Sequence, residues 1–127
     1  MTYSLGPQSR AKLAGVHPDL VRVVELAITR TPVDFRITEG LRTVARQRQL
    51  VAQGASKTMN SRHITGHAID FVPLIAGKPS WAWPPFHPIA KAFKEAAAEL
   101  GVPIIWGGDW KSFKDGPHVE LDRRTYP

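Results

Sequence analysis

The sequence predicts an α+β fold, with helices packed on a small, mostly antiparallel sheet, and three observations carry that expectation. Two segments, Val33 to Ile37 and His67 to Val72, alternate residues with the period of a strand. Two others hold apolar residues at helical spacing behind a proline-bearing start, at Pro18 and Pro88. The length, 127 residues with 43% hydrophobic content, allows one modest core, so a single domain spanning 1–127 is expected.

Taken in order, His17-Pro18-Asp19 opens a helix whose stripe Leu20, Val23, Val24 and Ile28 stops near Thr31-Pro32. Val33, Phe35 and Ile37 alternate with Asp34, Arg36 and Thr38, and Thr38-Glu39-Gly40 ends that strand. A helix from about Thr43 to Gln53 follows, capped by Gly54; if it begins soon after Gly40, Arg42 and Arg46 share a face. A polar loop from Ala55 to Thr65 delivers His63. In the next strand Ala68, Asp70 and Val72 face one way and Ile69 and Phe71 the other, which turns Asp70 away from the apolar pair. Pro73 to Pro88 reads as an irregular excursion with a tight turn at Ala76-Gly77-Lys78. His87-Pro88 then starts a helix that runs through Leu100 and closes at Gly101. Pro103 to Trp106 is a short strand, Gly107 to Gly116 a loop, and His118 to Leu121 a last strand in which His118 and Glu120 share a face.

Composition removes several kinds of chemistry. With no cysteine there is no disulfide framework, thiolate metal site or cysteine nucleophile. No 18 apolar residues run together, and the opening residues lack the charged start and apolar core of a secretory signal, so synthesis in the cytoplasm without membrane insertion is expected. The formal net charge of +6 favours polyanionic partners, nucleic acid or anionic cell wall. The basic residues are scattered and no nucleic-acid motif appears, which argues against nucleic acid.

The chemistry concentrates in Ser61-Arg-His-Ile-Thr-Gly-His-Ala-Ile-Asp70 and Asp115-Gly-Pro-His118. Catalytic zinc takes three N or O protein ligands, leaves a position for water and lowers that water's pKa from about 15.7 toward about 7. His63, Asp70 and His118 fit as ligands. Asp115, three residues before His118, is a spare carboxylate placed to act as general base.

Neighbouring residues have plainer readings. His63 and His67 lie four apart, but Ile64 stands where a helical H-E-x-x-H zinc motif has Glu, and Thr65-Gly66 is poor helix; His67 is expected to be exposed or at the site rim, not a ligand. Ser61 has no nucleophile elbow around it and reads as a loop hydroxyl that ties down backbone. Glu120 reads either as an anchor for an imidazole or as a solvated strand residue, and Asp109 either as a turn residue or a functional one. Arg42 follows a strand end, where substrate-facing residues tend to sit.

The pattern Ser61-x-His63-x-x-Gly66-x-Ala68-x-Asp70, with Trp106-Gly107-Gly108-Asp109-Trp110 leading into Asp115-x-x-His118, resembles the zinc peptidases that include D-alanyl-D-alanine carboxypeptidases, vancomycin-resistance dipeptidases and phage L-alanyl-D-glutamate endopeptidases. It is most similar to the last, the single-domain endolysins, over nearly the whole chain. The resemblance implies the fold shared by DD-peptidases and Hedgehog, one zinc on His63, Asp70 and His118, Asp115 as catalytic acid/base, and Arg42 as the residue that polarises the scissile carbonyl or holds a substrate carboxylate. It implies a peptidoglycan hydrolase that cuts the L-alanyl-D-glutamate bond of stem peptides. Such an enzyme is expected to be a monomer and to wait in the host cytoplasm until a holin opens the membrane to the wall. Some relatives carry an acidic calcium-binding insertion before the catalytic Asp; the short, basic Lys111-Ser-Phe-Lys114 argues against calcium regulation here. Two alternatives remain: a D,D-carboxypeptidase or dipeptidase that trims D-alanine, and a non-catalytic metal-bearing module that binds wall or nucleic acid. The spare carboxylate of Asp115 speaks against the second, because a structural zinc closes its fourth position with a ligand.

Overall fold

The computed structural model describes residues 2–127; Met1, the first residue of the expected 1–127 unit, lies outside them. The observed fold is the expected α+β class. The elements are α1 (Pro7–Lys12), α2 (Pro18–Arg30), β1 (Phe35–Glu39), α3 (Val44–Ala52), β2 (Ala68–Ile75), β3 (Lys78–Pro79), α4 (Phe86–Leu100), β4 (Ile104–Trp106), a 3-10 turn at Gly107–Asp109, and β5 (His118–Leu121). The sheet runs β1-β2-β5-β4, β3 pairs with β2, and every pairing is antiparallel. No described helix is long and apolar enough to cross a membrane.

Helices α2 and α4 cover one face of the sheet. Leu20, Val23, Val24, Ala27 and Ile28 of α2 are buried, as are Ile89, Ala90, Phe93, Ala96 and Ala97 of α4. At the centre Phe35 of β1, Phe71 of β2 and Phe86 and Phe93 of α4 interlock with ring centroids 5.1 to 5.8 Å apart. Burial of four such rings is a large apolar contribution in so short a chain. The expected starts and stops hold with small shifts. The His17 ring accepts from the Asp19 N–H to cap α2, the Thr43 hydroxyl accepts from the Arg46 N–H to cap α3, and Gly101 ends α4 at φ +70°.

Three differences from the sequence reading have physical reasons. The six-residue α1 was not foreseen; it is too short for periodicity to mark, and it is fixed by tertiary contact, Ser9 Oγ accepting from the buried Ile37 N–H. The excursion expected to begin at Pro73 instead continues β2 through Ile75 and turns back into β3. Pro73 is tolerated because the flanking Leu74 N–H donates to the Asp34 carbonyl, and Ala76 and Gly77, both at positive φ, form the tight turn. Arg42 lies before α3, not on it: Arg42 is nearly buried whereas Arg46 is exposed, so they share no helix face.

Candidate active site

Strand register builds the site. Glu39 of β1 stands opposite Asp70 of β2, and Asp70 opposite His118 of β5, so three polar side chains form one row across three neighbouring strands on the face away from α2 and α4. Strict alternation would have put Glu39 with Phe35 and Ile37; the register slips between Ile37 and Glu39, and that irregularity redirects Glu39. His63 arrives from the loop before β2. Gly40 lets the chain pass close to the end of α1, since a Cβ there would strike the Lys12 carbonyl, and its own carbonyl accepts the His63 Nδ1–H at 2.9 Å.

His63, Asp70 and His118 are the one group among the described residues placed to hold a metal, with ligand atoms within 4.8 Å of one another. His63 Nε2 lies 3.1 Å and His118 Nδ1 3.5 Å from Asp70 Oδ1. Since a carbonyl only accepts, Gly40 fixes the His63 proton on Nδ1; the Glu120 carboxylate does the same for His118, 2.9 Å from its Nε2. With their outer nitrogens so engaged, both rings turn the inner nitrogen toward a carboxylate oxygen. Such a cluster of acceptors needs a cation in its midst, so the donor chemistry fits a metal.

The electrostatics agree. Burial disfavours the Asp70 carboxylate, but His118 and His63 outweigh it and hold its pKa far below the usual range. Burial likewise disfavours the His118 imidazolium, yet Asp70 and Glu120 raise it to about 9, so in the metal-free protein a proton stands where a metal would. Burial, and then the Asp70 charge, push Asp115 above the ordinary carboxylate value.

Asp115 sits at the edge of this cluster in a cleft of about 670 Å³ that all three metal-placed residues line. Its backbone N–H donates to the Gly107 carbonyl and its carbonyl accepts from the His118 N–H, so a single turn fixes the carboxylate relative to the imidazole. Gly107 has no room for a side chain, since a Cβ would strike the Asp115 carbonyl and come within 3.1 Å of the His118 Cβ. Trp106 braces the turn by donating its indole N–H to the Gly116 carbonyl at 2.7 Å.

Arg42 also lines the cleft, 9% exposed and held fast. Its Nε and Nη2 each donate at 2.7 Å to the two Glu39 oxygens, its Nη1 donates to Gln47 Oε1, and Nη2 lies 3.7 Å from Asp70 Oδ2. Sequence reasoning missed both partners. Glu39 carried a signal, an acidic residue three before Arg42. Gln47, fully buried inside a polar helix, carried none, and it ties down the loop through Ser56 Oγ and the Thr58 carbonyl.

The remaining residues fall as follows. Glu120 is 8% exposed and anchors His118, not a solvated strand residue. Ser61 Oγ accepts from the His63 N–H, the backbone role expected of it. His67 is outside the metal-placed group, as expected, but it is half-buried and does not line the cleft, where exposure or a place at the rim was expected; it is bonded to Thr65 and tilted against His17. Asp109 pairs with Lys94 at 2.7 Å on the surface. Arg62, unremarked in the sequence, is buried: Nη2 donates to the Leu121 and Tyr126 carbonyls while Nε has no hydrogen-bond partner, 3.9 Å from Glu120 Oε2.

Comparison with known proteins relates the whole chain to a family. The family described as phage L-alanyl-D-glutamate peptidase matches residues 1–126. The chain is similar to the L-alanyl-D-glutamate peptidase of Escherichia phage T5, 42% identical over 99% of this chain and 94% of that one. It is also similar to the peptidoglycan L-alanyl-D-glutamate endopeptidase CwlK of Bacillus subtilis, 35% identical over 77% of this chain and 66% of the relative. Among solved structures, the Serratia marcescens L-Ala D-Glu endopeptidase ChiX superposes with a TM-score of 0.91 at 51% identity, over 95% of this chain and 91% of that one. The vancomycin-resistance D,D-dipeptidase VanXYg shares the fold, with a TM-score of 0.58 at 15% identity over 84% of this chain and half of the other.

Proposed function

The chain belongs to the phage L-alanyl-D-glutamate peptidase family, and from that premise we propose that it hydrolyses the L-alanyl-D-glutamate bond of peptidoglycan stem peptides as a single-zinc metallopeptidase. One observation carries the metal part of the reading: Gly40 and Glu120 occupy the outer nitrogens of His63 and His118, which leaves their inner nitrogens and Asp70 Oδ1 as convergent acceptors. Two imidazoles and a carboxylate suit zinc with room left for water and substrate. When bound, zinc would supply Lewis-acid polarisation of the scissile carbonyl and a lowered pKa for water.

The chain's own residues supply the rest. Asp115 takes the proton of the attacking water and passes it to the departing D-glutamyl amine; its upward-shifted pKa serves both steps, because a carboxyl nearer neutral is a better acid once it has acted as base. Arg42, fixed by Glu39 and Gln47, presents a positive charge to the oxygen on which negative charge develops, and needs no reorganisation to do so. The +6 charge draws the protein to an anionic wall. We also assign it a monomeric state and release from the host cytoplasm by a membrane-opening holin; expression alone should be tolerated, and chloroform should trigger lysis.

Mass spectrometry of digested peptidoglycan tests the bond: products should begin with D-glutamate at a new free amine. Free D-alanine with the L-alanyl-D-glutamate bond intact would favour carboxypeptidase trimming instead. Asp115→Ala should keep its zinc while its rate falls by about 10² to 10⁴, the worth of a positioned base; loss of the metal would make Asp115 a ligand.

A further inference from the structure

The floor of the cleft is acidic, with Glu39, Asp70, Asp115 and Glu120 all lining it. The substrate class proposed above is acidic too. In an L-alanyl-D-glutamyl peptide the glutamate gives its amine to the scissile bond and one carboxyl to the next residue, which leaves its other carboxylate a few bonds from the reacting nitrogen. An anion brought to such a floor needs positive charge at the rim.

The cleft offers five cationic side chains, and three are committed. Arg42 is held by Glu39 and Gln47 and serves the reacting oxygen. Arg62 is buried on two backbone carbonyls, and Arg123 lies 3.8 Å from Glu120. Lys57 and Lys114 are exposed and have no acidic partner among the described residues. They come from two loops that line the cleft, and Phe113 joins those loops: the Lys57 ammonium lies 5.5 Å from its ring centroid. Phe113 is itself unusual, 74% exposed and at φ +53°, a left-handed conformation uncommon for a bulky residue. It contributes nothing to the core. Its position two residues before Asp115 makes it a shelf for the lysine at the entrance to the reacting centre.

We propose that Lys57 and Lys114, with Phe113 as the shelf between them, form the subsite for the uncoupled carboxylate of the D-glutamyl residue, so that the protein selects stem peptides in which this carboxyl is free over those in which it is amidated. The proposal rests on the L-alanyl-D-glutamate reading. Lys114, adjacent to Asp115 in the chain, holds the carboxylate on the leaving-amine side, and Lys57 exchanges its ring contact for the carboxylate when substrate enters.

The test uses the zinc-loaded full chain and two synthetic peptides that differ only at that carboxyl, free acid against primary amide. Wild type should favour the acid in kcat/KM by about tenfold, through KM, and 0.5 M salt should shrink the preference. Lys57→Met and Lys114→Met should each lower the acid-to-amide ratio by up to about fivefold, the range of a rim-exposed ion pair, and the double variant should bring it near one. Lys→Arg at either position should restore the preference. Calorimetric binding of both peptides to Asp115→Ala should show the same discrimination without turnover. Equal KM for both peptides in wild type, or variants that weaken both peptides alike, would overturn the subsite while leaving the bond assignment standing. Cleavage of neither peptide at the L-alanyl-D-glutamyl bond would overturn that reading, and the subsite with it.

Discussion

Among the described residues two histidine pairs lie at nearly the same ring separation, and only one is placed to hold a metal. The rings of His63 and His118 lie 5.2 Å apart, those of His17 and His67 5.6 Å apart. The difference is in what each ring touches. Between His63 and His118 stands Asp70, and the outer nitrogens are held by Gly40 and Glu120. His17 spends Nδ1 on the Asp19 N–H and packs on Tyr126, while His67 bonds the Thr65 hydroxyl. Asp19, the acid beside His17, is itself engaged by Tyr126 and Arg22. Burial, then the Arg62 charge, lower the His67 pKa, whereas at His118 the carboxylates more than offset burial. Proximity of imidazoles is therefore not what makes a site; a carboxylate between them and acceptors behind them are.

The sharpest way to break this contrast is to exchange the fates of the two pairs. His118→Ala should abolish stoichiometric zinc binding and all activity, because two ligands do not hold a catalytic zinc. His67→Ala should keep about one zinc per chain by elemental analysis and should keep its activity. Metal retained in the first protein, or lost from the second while it stays folded, would reverse the assignment.

A smaller effect tests the acceptors behind the ligands. Glu120→Gln preserves shape but removes the carboxylate that holds the His118 proton on Nε2, and loss of such an anchor typically costs 10- to 100-fold in metal affinity. Competition with a chelator should report a shift of about that size, with secondary structure unchanged. An unaltered affinity would mean that the strand backbone alone orients His118.

How much of this was legible in the sequence divides along the same line. The helices, the strands that carry Asp70 and His118, and the metal triad could be read because each rests on local pattern: caps, period-two alternation, His and Asp at fixed spacing. What could not be read depends on contacts between segments remote in the chain. Gly40 serves through its carbonyl, which no residue type advertises, and Gln47 looks like any polar helix residue until the fold buries it against Arg42. Glu39 joined the site only because the β1–β2 register slips, an irregularity that alternation cannot foresee. Arg42 was noticed for the right loop; a helix beginning soon after Gly40 would have put it on a face with Arg46, but the helix begins at Val44.

The gentlest probe is pH, and it separates metal-free from metal-loaded protein. Without metal, the His118 pKa raised to about 9 and the Asp70 pKa held below its ordinary value of 3.8 are one interaction seen from both partners. The raised imidazole contributes stability in full below its ordinary 6.5 and loses it as pH climbs through about 9; the depressed carboxylate contributes above 3.8 and loses it as pH falls further. The pair therefore stabilises the metal-free chain most between about pH 4 and 6.5. Zinc must displace the His118 proton, so its binding at neutral pH should release about one proton and strengthen as pH rises. Thermal melts from pH 6 to 9.5 should accordingly diverge, the chelator-treated protein losing stability across that interval while the zinc increment grows. Calorimetry in buffers of different ionisation enthalpy would count the proton directly. A metal-free melting temperature that rises from pH 6.5 to 9, or zinc uptake with no proton released, would mean that His118 is already neutral in the empty site and that Asp70 is balanced by Arg42 instead.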